Sequence, residues 1–497
     1  MLPYTPLHYL LFFHPLQKGE KEKTPHFLAL VMTSGNLSEE PIVRDNDEAV
    51  DKLSGIVDGF LLHNRDIFMR VDDSVVRVTG NQSGMRIEER GIEHRSAPAA
   101  SNPPLSFIRR SRGYAPDPIT LPDEGPEVLG CGADLKNTFT VTKGAFAIPS
   151  QHIGDMENYE TVKFFEESLA NIKTVYRANP AAIAHDLHPG YLSTRWALAQ
   201  QTDADGQNPG LYAIQHHYAH IGSVMAEHGL SRKVIGVAFD GTGYGTDGNL
   251  WGGEFLIADI GGFERAGQFK YVPLPGGEAA IREPWKTAVS YVLEATGSGA
   301  SEYLDKIGFR RKYGEASIEQ VIKVARSREL SPLSSGAGRL FDAVSALLGL
   351  CSINTFEGEA AMTLESYAAG HVDGLYPVEF IRENGYTIVD FSRTIIEVLQ
   401  DFMTGPDARS VAAKFHNTVA SVIETVVADL CAEQGIMDVA LSGGTFQNLY
   451  LLSRTEHVLK SRGLNVFINR KMPCNDGGIS LGQAYIVRER LRRGLAS

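Results

Sequence analysis

Twice, about a hundred residues apart, the chain writes the same design: an apolar strand, a tight glycine-containing turn with a polar or acidic residue, and a returning strand. The first copy covers residues 127–138, with Asp134, Lys136 and Asn137 in the turn and the alternating Phe139-Thr140-Val141-Thr142 after it. The second runs over 234–240, turns through Gly241-Thr242-Gly243-Tyr244-Gly245-Thr246-Asp247-Gly248 and returns over 250–257. Glycine tolerates positive φ and lets the backbone approach a phosphate closely. One such hairpin says little. Two in one chain predict a duplicated, two-lobed α/β domain with a nucleotide in the cleft. A third strand, 437–441, runs into the glycine turn Ser442-Gly443-Gly444-Thr445-Phe446-Gln447-Asn448, whose amides and Asn448 side chain suit a nucleoside. A fourth segment, 474–482, puts Asp476 at a helix start, where by itself it reads as an N-cap.

Between the hairpins lies Ile214-Gln215-His216-His217-Tyr218-Ala219-His220. On a helix, His216 and His220 stand one turn apart on one face, the spacing two imidazoles need to share a metal ion. An isolated pair at this spacing is better explained as a solvated polar face. The hairpin that follows, with Asp240 at the end of its apolar run, favours the metal. His217 points elsewhere on the helix and is not expected to be a ligand.

The bulk numbers restrict the class. The chain has 497 residues, 43% hydrophobic and 22% charged, an ordinary globular composition with ample core. Its net charge of −13 argues against a broad nucleic-acid surface. The four cysteines, Cys131, Cys351, Cys431 and Cys474, form no CxxC pair, so neither a zinc ribbon nor a disulfide framework is expected, and a cytoplasmic location fits. The apolar stretch 9–13 is too short for a signal peptide or a membrane span.

The first hundred residues predict an exposed loop at 16–23, strands at 27–32, 59–63 and 74–78, and a helix over 45–53. Thr33-Ser34-Gly35-Asn36-Leu37-Ser38 after the first strand is, taken alone, better explained as a plain turn than as a nucleotide or phosphate contact. Residues 93–125 are proline-rich and read as a linker, with Arg109, Arg110 and Arg112 either solvated or facing a phosphate. Helical spacing predicts core helices at 162–176 and 411–430, the latter stopping at Gly435, with His416 structural or solvated. Trp196 is expected to pack, and 295–301 to be a flexible loop.

Several strings carry a resemblance. Residues 33–41 (TSGNLSEEP) and 72–77 (DDSVVR) resemble the second half of a YrdC-like domain. The order of hairpins and the late adenosine turn resemble the ASKHA superfamily, and HxxxH with a late aspartate its TsaD-like branch. Residues 109–114, 150–158 (SQHIGDMEN), 186–194 (DLHPGYLST), 215–220, 251–254, 334–344 (SSGAGRLFDAV) and 356–361 narrow this to HypF carbamoyltransferases, over nearly the whole chain from about residue 27.

That resemblance implies a partial YrdC-like adenylate-forming domain at 1–95, a junction at 96–125 and a TsaD-like domain at 126–497, with lobes near 126–230 and 231–497. It implies carbamoyl phosphate as substrate, ATP with magnesium, and a divalent iron or zinc held by His216, His220 and Asp476. Asp240, Asp134 and Lys136 would be catalytic; Asn137 would line the first phosphate turn with Asp134 and Lys136. Gly338, Asp342, Gly443, Gly444 and Asn448 would hold the nucleoside, and Ser34, Asn36 and Ser74 would serve the adenylate. The implied product is a carbamoyl adenylate passed to the C-terminal cysteine of the partner HypE, for cyanide ligand synthesis in nickel–iron hydrogenase maturation, with no nucleic acid or membrane partner. Full family members also carry an acylphosphatase-like domain, a zinc-finger region and a complete YrdC-like domain. This sequence shows neither of the first two and enters the third near its middle, as a fragment or a misplaced start would. A small-molecule O-carbamoyltransferase, a tRNA threonylcarbamoyltransferase and a non-catalytic nucleotide-binding fragment remain as alternatives.

Overall fold

The computed structural model of the chain describes residues 6–13, 25, 27–38, 40–78, 105–200, 209–368, 372–405 and 407–495. The loop expected at 16–23 and residues 93–104 of the proline-rich stretch lie outside them. Among the described residues, no helix is long and apolar enough to cross a membrane.

The chain divides into two compact units, Met1–Asp72 and Asp73–Ser497. The first holds the helices Pro6–Phe12 and Asn46–Leu53. Asp45 caps the second, accepting from the backbone N–H groups of Asp47 and Glu48. None of this unit's described residues is buried. The strands expected at 27–32 and 59–63 do not form: no described strand pairs with them, and Leu28 and Val31 are fully exposed. Apolar patterning alone does not make a strand, because unpaired backbone groups prefer water.

The second unit opens with an antiparallel ribbon, Val75–Val78 against Leu105–Arg109. The expected linker therefore contains two strands, this one and Ile119–Gly125. Phe107, Ile119 and Leu121 alternate into the interior and make the segment structural. Two mixed sheets follow. In the first, Val128–Gly130 pairs antiparallel with Thr140–Pro149 and parallel with Ala182–Asp186, which pairs parallel with Gly210–Ile214. In the second, Val234–Tyr244 pairs antiparallel with Leu250–Ala258 and parallel with Asp438–Ser442, which pairs parallel with Asn465–Ile468. The same hairpin-plus-two-parallel-strands order occurs twice, giving the duplicated two-lobed α/β architecture of the ASKHA type.

Two sequence expectations shift. The second hairpin does not turn at Gly241. Its strand runs on to Tyr244, with a register shift between Phe239 and Gly243. Asp240 thus sits at an irregularity inside the strand, where the ladder is locally broken and the side chain can be re-aimed. Residues 295–301 are not a flexible loop: they close the helix Pro284–Thr296, form a short 3-10 turn and start the helix Ala300–Lys306, whose Ala300 and Leu304 are buried. The helices Tyr159–Tyr176 and Ala408–Gln434 form as spaced, the latter ending at Gly435 in the left-handed conformation. Trp196 packs edge-on to Phe165.

Between the sheets cross two helices, His216–His228 and Ile479–Arg492. Residues of both join strand residues from both lobes in one core, including Ile214, Ile221, Val234, Ala440 and Ile486. They meet at glycines. A Cβ on Gly482 would run into the Ala219 carbonyl, and one on Gly222 would lie 2.7 Å from Ile486 Cδ1. Gly482→Ala is therefore expected to destabilise this unit by about 1–3 kcal/mol through overpacking at backbone, measured by urea denaturation. An unchanged midpoint would show that the crossing has slack.

Candidate functional site

The crossing sets the ends of the two helices against the Asp240 strand. His216 and His220 lie in the first turns of one helix, which Gln215 caps by accepting from Tyr218 N–H. Asp476 begins the 3-10 turn Asp476–Gly478 that leads into the other, after Asn475 accepts from Gly477 N–H. Ligand atoms of His216, His220, Asp240 and Asp476 all lie within 4.8 Å of one another, and all four residues are buried. His220 Nε2 is 3.0 Å from Asp240 Oδ2. His216 Nε2 is 3.5 Å from Asp240 Oδ2 and 3.8 Å from Asp476 Oδ1, and makes no hydrogen bond.

A fifth residue orients the group. Asp186, at the end of the buried strand Ala182–Asp186, accepts from His216 Nδ1 at 2.9 Å. A carboxylate there fixes the ring and turns Nε2 toward the other three residues, the arrangement seen behind metal-bound histidines. His217 is not part of the group: its Nδ1 meets Gln215 at 3.2 Å and its ring faces Trp251.

The electrostatics are those of two imidazoles sharing two buried carboxylates. Burial pushes the Asp240 carboxyl up, but the adjoining His216 and His220 imidazoles, the latter hydrogen-bonded to it, overcome this and hold it well below the usual range. Burial lifts Asp476 to about 6, against the pull of His216 and with the help of Asp240. Burial lowers His216, yet Asp476 and Asp186 raise it well above an ordinary histidine. A cation replacing the shared protons would relieve both carboxylates.

The group opens on a cavity of about 600 Å³, lined by Lys136, Asp240, Gly241, Gly338, Arg339, Gly444, Asn448 and Asp476, and also by Arg77, Glu357 and Glu365. Lys136, in the left-handed conformation at φ 48°, extends to Glu357 in an ion pair. Gly444 lies against the site: a Cβ there would be 2.9 Å from Asp240 Oδ1. Gly338 packs on Gly241, where a Cβ would be 2.9 Å from the Gly241 Cα. Gly443, at φ 102°, backs onto Phe239, and its N–H donates to the Cys474 carbonyl. Asn448 reaches the cavity with Oδ1 accepting from Leu451 N–H and Nδ2 donating to His416 Nε2 at 2.8 Å.

Other expected residues are turned to structural use. Asp134 does not line the cavity: its carboxylate accepts from the Leu192 and Ser193 N–H groups and the Ser193 hydroxyl, capping the helix Leu192–Ala199. Asn137 is buried and donates to the Cys131 and Ala133 carbonyls, stapling its own turn. Asp342 lies buried behind the wall, 3.0 Å from Arg339 Nη2. Ser74 Oγ donates to the Arg112 carbonyl and accepts from Ser111 N–H, tying the ribbon. In the first unit, Ser34 is exposed, and Asn36 donates to the Leu37 and Glu40 carbonyls within its turn. Arg110 donates to the carbonyls of Tyr114 and Asp117, and Arg112 lies 3.5 Å from Asp73.

Sequence reasoning missed Asp186, Arg77, Arg339, Glu357 and Glu365. Asp186, Arg77, Arg339 and Glu357 lay inside strings already singled out, and a carboxylate ending a buried strand was a usable signal. Arg77 pairs through both terminal nitrogens with Glu365, 288 residues away, and donates to the Gln447 carbonyl, which no local pattern reveals.

The model described as the HypF Kae1-like domain matches residues 123–227. That described as the carbamoyltransferase Kae1-like domain, second subdomain, matches 236–483. The Sua5/YciO/YrdC model, described as telomere recombination, matches 1–91. A protein named carbamoyltransferase HypF homolog, from Cupriavidus necator, is 37% identical across 76% of this chain and 96% of its own length. The chain belongs to the HypF carbamoyltransferase family. Carbamoyltransferase HypF2 of the same organism is 39% identical over 99% of this chain. A HypF crystal structure described as full-length, in the phosphate- and nucleotide-bound form, superposes with a TM-score of 0.85 at 41% identity, covering 100% of this chain and 71% of that one. The chain spans about 60% of the length of HypF2.

Two outcomes test the assignments of side chains within this HypF-family site. Asp134→Ala should cost about 1 kcal/mol of stability as a lost cap while nucleotide affinity, read by calorimetry, stays unchanged; a large affinity loss would return Asp134 to the cavity. Burial pushes the His416 imidazole down to about 4, with the Ala412 carbonyl opposing. The unfolded chain takes up that proton near pH ~6.5, the folded one only near 4. Stability from this group is therefore present above about pH 6.5 and is lost as pH falls toward 4, a difference of about 3 kcal/mol. In chemical denaturation at stepped pH, His416→Phe should flatten the slope over that window.

Proposed function

We propose that the chain carries the metal- and nucleotide-binding part of an ATP-dependent carbamoyltransferase. It would use carbamoyl phosphate and ATP to form a carbamoyl adenylate, and pass the carbamoyl group to the C-terminal cysteine of HypE for cyanide ligand synthesis in nickel–iron hydrogenase maturation. The observation that carries this is the convergence of His216, His220, Asp240 and Asp476 on one point at the edge of the cavity. The related crystal structure described as phosphate- and nucleotide-bound supports the ligand class.

The residues fit a divalent metal. His216 Nε2 is buried without a hydrogen bond, its ring held from behind by Asp186, and two carboxylates offset the charge of a cation. Two imidazoles and two carboxylates suit iron or zinc. Bound there, the metal would supply Lewis-acid polarisation of a phosphate or carbamoyl oxygen. The chain's own groups do the rest. Lys136, which enters the cavity beside Asp476, would hold phosphate oxygens once Glu357 releases it. Gly241, Gly338 and Gly444 line the cavity and would let a ligand approach the backbone without side chains in the way. Asn448 and the Gly443–Gly444 turn would hold the nucleoside, and magnesium would accompany ATP. Enclosure in the cavity would keep water from a carbamate that decomposes in it.

In this reading residues 1–95 are the YrdC-like part, 96–125 the junction and 126–497 the TsaD-like domain. The first unit's described residues bury no side chain, which favours a second reading for this stretch: it acts only when completed by further polypeptide.

The purified chain, and a family member carrying the full domain set, would be incubated with ATP and carbamoyl phosphate and assayed for pyrophosphate exchange. Pull-down with HypE would test the acceptor. His216→Ala or His220→Ala should lose the bound metal and at least a hundredfold of carbamoyl-phosphate-dependent exchange. Full exchange in a metal-free variant would sink the metal role. Nucleotide binding without exchange in either protein would leave only a binding module.

A further inference from the structure

One buried titratable group behind the cavity has no part in the chemistry above. His416, on the long helix Ala408–Gln434, is fully buried and touches Phe341, Phe415 and Tyr450. Its Nδ1 lies 2.7 Å from the Ala412 carbonyl, which can only accept, so Nδ1 carries the proton. Its Nε2 is thereby left as an acceptor, and Asn448 Nδ2 donates to it. On the other side, Asn448 Oδ1 accepts from Leu451 N–H at 2.9 Å.

An asparagine amide is nearly symmetric in shape and flips when its surroundings allow. Here both ends are specified. A flipped amide would set oxygen against the acceptor His416 Nε2 and N–H against the Leu451 N–H. The amide has two N–H groups and two strong acceptor positions. One of each is used inside the protein. What remains for the cavity that Asn448 lines is one donor and one acceptor in fixed order.

We infer that His416 is a positioning residue that locks the Asn448 amide and so makes the cavity selective for adenine over guanine nucleotides. Adenine presents a ring-nitrogen acceptor beside the N6 donor, the edge an asparagine reads in two hydrogen bonds. Guanine presents two acceptors at N7 and O6, or the reverse order at N1 and O6. The latter edge would fit only a flipped amide. Neutrality of the imidazole supports the lock: burial holds it down to about 4, so Nε2 stays an acceptor at neutral pH. The inference rests on the nucleoside occupying this cavity.

The test is calorimetric titration of the full chain with non-hydrolysable ATP and GTP analogues, in wild type, H416F, H416L, H416Q and N448A. A glutamine can offer Oε1 near the position of the histidine Nε2, whereas phenylalanine and leucine fill the space without an acceptor. Wild type and H416Q should share a strong preference for ATP. In H416F and H416L that preference should fall on the order of tenfold, the effect of one misplaced buried hydrogen bond, with thermal midpoints showing folded protein. N448A should weaken the ATP analogue on the order of tenfold as well. An unchanged ATP-to-GTP ratio in H416F and H416L, with N448A weakened, would show His416 to be packing alone. An equal loss of preference in H416Q would also overturn the lock. If N448A binds both nucleotides like wild type, the nucleoside does not sit at Asn448 and the underlying reading fails instead.

Discussion

The site depends on two helices crossing backbone to backbone. His216 and His220 come from one helix, Asp476 from the start of the other, and only the close approach at Gly222 and Gly482 lets their first turns share one volume. A larger residue at either glycine would force the helices apart, and each further ångström would leave a metal-sized gap underfilled. The crossing is also the seam of the duplicated fold, since its core takes side chains from both sheets. Stability of the two lobes and assembly of the candidate centre are thus one packing problem.

Around that seam the fold uses polar groups in two ways. Some are spent on the scaffold: Asp134 caps a helix, Asn137 staples its turn, and Ser74 ties a two-stranded ribbon. Others are held with valence to spare, such as His216 Nε2 with Asp186 behind it and Asn448 fixed from two sides. The distinction is geometric. A buried polar group must be satisfied, so one that the protein leaves facing a cavity with capacity unused marks where a ligand enters.

That distinction explains what the sequence could reveal. The HxxxH pair, the two hairpins and the Gly435 stop are local patterns, and local patterns survive folding. Asp476 was visible as a helix start, and its company with the histidines came from resemblance rather than spacing. Asp134 and Asn137 stood at the expected turn, but whether a side chain there faces the ligand or the turn itself is decided by φ, ψ and neighbours such as Ser193, 59 residues on. Asp342 was chosen from a string in which Arg339, one helical turn earlier, is the residue that reaches the cavity. The strands expected at 27–32 and 59–63 had apolar patterning but no described partner, and pairing, unlike patterning, is not written in the segment itself.

The charge of the cavity bears on what must enter it. Its cations are Lys136, Arg77 and Arg339. Each already has a carboxylate: Glu357 on Lys136, Glu365 on Arg77, and Asp342 on Arg339. Asp240 and Asp476 add two more acidic groups at one end, shared with two histidines. A nucleoside triphosphate or carbamoyl phosphate entering this set would meet carboxylates that balance each lysine and arginine among the described lining residues. In a partly buried site such charges are weakly screened, so an anion is held only if more cation arrives with it. Metal at the His216–His220–Asp240–Asp476 group and magnesium on the nucleotide would supply that charge. The competition between phosphate and Glu357 for Lys136 would then decide how tightly the anion end is gripped. Electrostatics and donor geometry, two independent properties of the same side chains, therefore ask for the same partner, a cation.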